Sequence, residues 1–392
     1  MIAGAPRAVA GRTGEWLEDP GFGVYVHIPF CVHRCHYCDF NTYEGLESIR
    51  APYVDAVVRH IEVSDEARPV TSVFFGGGTP TILEPSQLGR ILEAIERRFG
   101  IADDAEITIE ANPETVDDAK FGALRHVGFN RVSIGVQSLV DHVLVGLGRT
   151  HSAAVAVEAV GAARRAGFDD INVDVIYGSP WESESDWATT LEAVVSLDAD
   201  HISAYALTIE EATPLATLIR TGRVPDVDPD VQAHRHGVAE SALSAAGYER
   251  YEISNWARPG RASRHNVLYW SSGNYLGFGA GAHGHRDGRR WWNVRLPRDY
   301  VASISASGSA IDGEELLEGG SRGGEALMLG LRLRSGVPIE AFTRRFGRAV
   351  IETRSAAIAD LAVSGLIVDN AGNLALTDRA TLVANEVAAR LL

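Results

Sequence analysis

Six short apolar runs, rich in β-branched and aromatic residues, recur at residues 24–28, 72–75, 106–110, 131–136, 171–177 and 201–207. Between them lie stretches with helical periodicity, among them 88–99, 119–127, 153–166 and 187–197. Strand and helix in alternation build βαβ units, and such units lay their strands into a parallel sheet. Six units are too few for an eight-fold closed barrel, so the α/β pattern predicts an open, partial (β/α)6 barrel. Chemistry in such barrels gathers at the C-terminal ends of the strands. The unusual residues obey that rule. Three cysteines follow the first run and Gly76-Gly77-Gly78-Thr79-Pro80 follows the second. Glu110-Ala111-Asn112-Pro113 ends the third, Gln137 ends the fourth, and Asp174 sits within the fifth.

The cysteines carry the sharpest chemical signal. Cys31, Cys35 and Cys38 are separated by three and then two residues, and the chain has no others. An odd, clustered set is a poor disulfide framework and points to a metal. A [4Fe–4S] cubane normally takes four thiolates, so three leave one iron open for a small ligand. The competing reading is zinc, which needs a fourth ligand that His27, His33 or His36 could supply. Three inert buried thiols fit poorly with so polar a loop.

Composition bounds the rest. The formal charge of −16 disfavours broad nucleic-acid binding, and no strong basic patch offsets it. Residues 1–20 lack a continuous apolar stretch and are expected to form a loose tail. No apolar run is long enough to span a membrane, and the expected location is the cytoplasm. At 392 residues the chain exceeds one average domain. The expected division is a barrel over 21–210, an extension over 211–315 where the rhythm weakens, and a small winged-helix-like domain over 316–392. That last domain is read as helices at 325–333, 339–346 and 351–364, then a hairpin at 366–376.

The cysteine loop, with Tyr37 before the last cysteine, resembles that of the radical S-adenosylmethionine (SAM) superfamily. The resemblance implies that SAM chelates the open iron through its amino and carboxylate groups, and that the cluster cleaves it to a 5′-deoxyadenosyl radical. The other motifs suit the parts of SAM. A glycine turn lets carbonyls approach the ammonium, Thr79 adds a hydroxyl, and Glu110 accepts from the ribose. Arg149 pairs with the carboxylate, while Gln137 and Asp174 add polar contacts.

Longer stretches narrow the resemblance to the coproporphyrinogen III oxidase-like group: RVSIGVQS at 131–138, NVDVIYGSP at 172–180, HISAYALTIEE at 201–211 and HNVLYW at 265–270. That match implies Tyr25, Gly77, Gly78, Thr79, Glu110, Gln137, Arg149 and Asp174 as SAM contacts. The oxidases of the group carry a fourth cysteine where this chain has Phe40. With His265-Asn266-x-x-Tyr269-Trp270, this departure resembles the HemW heme chaperones. The resemblance implies heme on His265, delivery to a respiratory hemoprotein, homodimerisation and peripheral contact with a membrane. Two other functions stay open at this point: an oxygen-independent coproporphyrinogen III oxidase, and another radical SAM enzyme that modifies tetrapyrroles.

Overall fold

A computed structural model describes residues 13–66 and 68–392. Strands β1 (Phe22–Ile28), β2 (Val70–Gly77), β3 (Ile101–Ala111), β4 (Arg131–Gln137), β5 (Ile171–Tyr177) and β6 (His201–Ala206) lie side by side in chain order. All five pairings between them are parallel. Helices Arg50–Glu62, Pro85–Phe99, Asp118–Val127, Ala153–Arg165 and Glu184–Ser196 connect them. In Pro85–Phe99 the apolar positions recur at helical spacing and bury Leu88, Ile91, Leu92, Ile95 and Phe99. Each such side chain contributes about 1.5–3 kcal/mol when fully buried.

Alternation along the strands sorts the two faces of the sheet. Val24, Val26, Ile28, Val73 and Phe75 belong to the core shared with the helices. Their neighbours Tyr25, His27, Ser72 and Phe74 therefore face the concave side. The six-unit α/β fold is the expected one, and the sheet does not close: its strands run in the order β12 (Ile311–Leu316), β11 (Arg289–Asn293), β10 (His283–Arg286), β9 (Asn274–Phe278), β1 to β6, β8 (Asn255–Ala257), β7 (Glu249–Arg250).

That order revises the expected division at residue 210. The segment read as an extension completes the sheet on both sides. β8 (Asn255–Ala257) pairs antiparallel with β6 and carries β7 (Glu249–Arg250). β9 (Asn274–Phe278) pairs parallel with β1, followed by β10 (His283–Arg286), β11 (Arg289–Asn293) and β12 (Ile311–Leu316). The cause is the unpaired backbone that β1 and β6 would present as edge strands. These added strands are short, and β9, β10 and β12 contain glycine, so their period-two signal is faint.

The C-terminal part has its own core, built on Leu327, Leu331, Phe342, Leu361, Val387 and Leu391. Its helices include Gly319–Gly330 and Ile339–Phe346, and its hairpin is β14 (Ile367–Asn370) and β15 (Asn373–Leu376), to which β13 (Val337–Pro338) adds a third strand. The single helix expected over 351–364 is broken into Ala349–Glu352 and Ser355–Val363. At the break, Arg354 donates to the carbonyls of Leu391 and Gly320.

The expected loose tail also needs correction. Residues 1–12 lie outside the described ones, but the part from residue 13 is docked. Trp16 is buried, its ring 6.2 Å from that of Phe342, and Glu18 pairs with Arg344 at 2.8 Å. An indole buried in the C-terminal core ties the segment down. No helix among the described residues is long and apolar enough to cross a membrane.

Candidate functional site

The cysteine loop leaves the top of β1 and is pinned by its own backbone. Cys31 N–H donates to the Tyr43 carbonyl at 3.0 Å, and Tyr43 N–H to that of Pro29 at 2.8 Å. Farther along, His36 N–H reaches the Leu147 carbonyl at 3.2 Å. Two side chains address the sulfurs: Arg149 Nη1 lies 3.3 Å from Cys35 Sγ, and the Thr79 hydroxyl 3.8 Å from Cys31 Sγ. Burial pushes the Cys31 thiol up to about 11 and raises that of Cys38. Ligation there requires a strong positive charge, which iron would supply.

Among the described residues, no three His, Cys, Asp or Glu gather closely enough to hold a single metal ion. A structural zinc needs that tight convergence, whereas cubane thiolates each bind a different iron and stand farther apart. The histidines weighed as a fourth zinc ligand are engaged elsewhere. His27 meets the Tyr25 hydroxyl and the Asn41 carbonyl, each at 3.0 Å, and His36 meets the Gly146 carbonyl at 3.2 Å. His33, at the exposed rim of the same pocket, stands 3.6 Å from Glu44. The loop thus fits an iron–sulfur cluster better than zinc.

The glycine turn after β2 clamps the loop from below. Gly78 N–H donates to the Ile28 carbonyl at 2.9 Å and Thr79 N–H to that of Phe30 at 2.8 Å. Gly77 has φ +113°, and a Cβ there would stand 2.4 Å from the His27 ring. Its N–H donates to Glu110 Oε2 at 3.0 Å. The Thr79 hydroxyl accepts from Asn112 Nδ2 at 3.0 Å.

A pocket of about 540 Å³ opens above this floor. It collects Cys31, Cys35, Cys38, Gly77, Gly78, Thr79, Glu110, Gln137, Arg149 and Asp174. Asp174 has the partners a buried carboxylate needs: Ser133 Oγ at 2.8 Å and Asn172 Nδ2 at 2.7 Å. Burial, and then the charge of Asp174, raise the Glu110 carboxyl to about 7. Gln137 sits in the left-handed region at φ +66°, unusual for a residue with a side chain. Such a conformation costs about 1–3 kcal/mol and turns the chain sharply at the top of β4.

Sequence reasoning did not assign three further pocket residues. Asn112 accepts from Arg149 Nη2 at 2.8 Å, and the Gly135 carbonyl does so at 3.2 Å. Tyr205 lines the wall opposite. Asn112 lay inside a quoted block, but nothing in a single sequence marked it as the partner of Arg149.

Two expected site residues stand apart. Tyr25 lines a neighbouring cleft of about 370 Å³, which shares Gly77, Glu110 and Phe40 with the main pocket. His265 lines neither. It lies on the helix Arg264–Trp270, 1% exposed, with Nδ1 2.9 Å from Ser72 Oγ and Nε2 2.9 Å from the Tyr269 hydroxyl. Its ring stacks on Phe74 at 5.3 Å. In this structure both ring nitrogens of His265, the expected axial heme ligand, meet hydroxyls, and Tyr269, one of the two partners, lines the neighbouring cleft. The His-Asn-x-x-Tyr-Trp motif sits in the concave face. Glu106 caps it, accepting from the backbone N–H of Arg264 at 2.9 Å and of His265 at 3.0 Å. Asn266 reaches the Tyr251 hydroxyl at 3.4 Å, and Trp270 lies under the Arg332 guanidinium at 4.3 Å.

The chain is similar to known proteins over most of its length. The Radical SAM superfamily profile covers residues 25–194, and the HemN C-terminal domain profile covers 322–383. The heme chaperone HemW of Mycobacterium tuberculosis is 40% identical over 379 residues, covering 95% of each chain. That of Bacillus subtilis is 35% identical over 373 residues, covering 93% of this chain and 97% of that protein. Among solved structures, the coproporphyrinogen III oxidase HemN of Escherichia coli superposes with a TM-score of 0.82 at 22% identity, covering 96% of this chain and 91% of that one.

Proposed function

The chain belongs to the HemW family of radical SAM proteins, and from that premise we propose that it binds heme and passes it to a respiratory hemoprotein. In this reading Cys31, Cys35 and Cys38 hold a [4Fe–4S] cluster with one iron left for SAM. When bound, such a cluster would provide one-electron reducing chemistry toward SAM held beside these residues. Glu110 accepts from the ribose hydroxyls, the glycine turn takes the ammonium, and Arg149 holds its charge against the cluster sulfur and the carboxylate of SAM. Pairing of two copies, a cytoplasmic location and contact with a membrane-bound client belong to the same reading.

The observation that carries it is Phe40. The related oxidases resembled here have a cysteine at that position. This chain has an aromatic ring that is 64% exposed and lines both the main pocket and the aromatic cleft beside it. An exposed ring at such a rim suits a planar apolar ligand. The test is a heme titration of the protein reconstituted anaerobically with iron and sulfide. A saturable Soret shift is expected. Its absence, together with turnover of coproporphyrinogen III, would move the function to the oxidase.

SAM binding should depend on pH through Glu110. Hydroxyl donors favour the ionised carboxylate, and the folded carboxyl sits near 7. Affinity is therefore expected to rise with pH up to about 7 and then level off. At about pH 6 it should be roughly tenfold weaker than on the plateau. Asp174, Tyr25 and Tyr205 stand near the same carboxyl, so the slope belongs to the group. Calorimetric titration of cluster-loaded protein with SAM measures it, and Glu110→Gln should flatten the profile.

A further inference from the structure

We infer that His201, Tyr251 and Asn266 are positioning residues of the SAM pocket: they form a hydrogen-bonded relay that runs from the helix Arg264–Trp270 to the carboxylate of Asp174 and fixes it in the pocket wall. The inference rests on the reading of this pocket as a SAM site and deepens it.

The relay crosses the concave face of the sheet. Asn266 Nδ2 lies 3.4 Å from the Tyr251 hydroxyl. That hydroxyl lies 2.9 Å from His201 Nε2, and His201 Nδ1 lies 2.6 Å from Asn172 Oδ1. Asn172 Nδ2 then donates to Asp174 Oδ1 at 2.7 Å. Strand register makes the last steps possible. Asn172 stands beside His201 across β5 and β6. Asn172 and Asp174 are two residues apart on β5, so both point to the same face.

Elementary chemistry gives the relay a direction. An ionised Asp174 can only accept, so Asn172 presents its N–H to it and its oxygen to His201. The same oxygen accepts from the Ser203 hydroxyl at 3.2 Å, which agrees with that orientation. An amide oxygen cannot donate, so His201 carries its proton on Nδ1. Nε2 then holds the lone pair and accepts from Tyr251, whose oxygen is left to accept from Asn266. Every donor thus points toward one carboxylate, and bonds aligned in one sense polarise and strengthen one another. Burial raises the Asp174 carboxyl, and the hydrogen bonds from Ser133 and Asn172 work against that rise.

A polar chain of this kind is a poor way merely to fill a core. Asn172, His201 and Tyr251 are all buried, and apolar side chains of like size would pack there without needing partners. Of the relay, only Asp174 lines the pocket, where it stands with Glu110. The far end is held from outside the pocket. The Tyr251 carbonyl accepts from Arg334 N–H at 2.9 Å, and the Tyr251 side chain belongs to the C-terminal core. The motif helix and the C-terminal part therefore both bear on a pocket that neither of them lines.

The test is calorimetric titration of the full-length, cluster-loaded protein with SAM. Wild type, Tyr251→Phe, Asp174→Asn and the double variant run in parallel, with iron and sulfide content measured on each. Tyr251→Phe keeps the ring and removes only the hydroxyl. It should bind SAM roughly fivefold more weakly, with unchanged cluster content. In the Asp174→Asn background the same substitution should have almost no further effect, because the carboxylate it acts through is gone. His201→Asn, which keeps a donor toward Asn172, should bind SAM more tightly than His201→Leu. Wild-type affinity in Tyr251→Phe, or a fivefold loss that persists in the Asp174→Asn background, overturns the inference while the SAM reading stands. If wild type binds no SAM, that reading fails and this inference fails with it.

Discussion

Gly78→Ala is expected to lose the iron–sulfur cluster although all three cysteines remain. A Cβ at this position would stand 2.6 Å from the Phe30 carbonyl oxygen, 3.0 Å from that of Ile28 and 3.1 Å from Cys31 Sγ. Two of these atoms are backbone and belong to the strand and loop that carry the first ligand, so they cannot swing aside. Relief requires the turn to lift away from the loop, which breaks the hydrogen bonds from Gly78 and Thr79. Overpacking of this kind costs about 1–3 kcal/mol, or roughly one to two orders of magnitude in cluster occupancy at limiting iron. Gly76→Ala is the control. Its Cβ would meet the Glu110 carboxylate oxygen at 2.9 Å and the Phe74 ring at 2.9 Å, both side-chain atoms on the SAM side. It should weaken SAM binding and leave the cluster in place. Iron and sulfide analysis after reconstitution separates the two. A Gly78→Ala protein with wild-type iron would show that the turn does not hold the loop.

Glu106→Ala is expected to destabilise the whole barrel by about 3–5 kcal/mol. Glu106 is fully buried and accepts from the Ser263 hydroxyl as well as from the N–H groups of Arg264 and His265. It is the only carboxylate among the described residues seen to cap this helix, whose dipole and free N–H groups favour a negative partner. Its removal strands three buried donors and leaves the charge of buried Arg131 to Asp170, 3.2 Å away. The melting temperature should fall by roughly 5–10 °C, and Glu106→Gln, which retains an acceptor oxygen, by less. The helix Arg264–Trp270 would lose its seat. Tyr269, which lines the aromatic cleft, would move with it. Heme affinity should therefore fall in Glu106→Ala, while cluster content, set at the other end of the strands, should change little.

The contrast between those two sites follows from what each depends on. Around the cluster, ligand chemistry and the strand-end rule act over short stretches of chain. Cys31, Cys35 and Cys38 are neighbours in sequence, and the Gly76–Gly78 turn comes at the end of a strand, so their place at one pocket is readable from local order. The pocket then gathered Glu110, Gln137, Arg149 and Asp174 because parallel strands bring their C-terminal ends to one side. His265 shows where such reading stops. A histidine in a motif looks the same whether its nitrogens are free or engaged. Only the placement of Ser72, 193 residues earlier in the chain, and of Tyr269 one helical turn later decides that they are engaged.

The amino-acid sequence by itself determined the alternation of strands and helices, the open six-unit barrel and the triad of thiols at its mouth, because periodicity and ligand spacing are local properties. It did not determine that residues 249–316 supply both edges of the sheet, or that Trp16 docks on the C-terminal core. Those features depend on which distant segments satisfy one another's backbone groups and apolar faces. Such pairings are set by the global packing of the chain, and only the tertiary structure decided them.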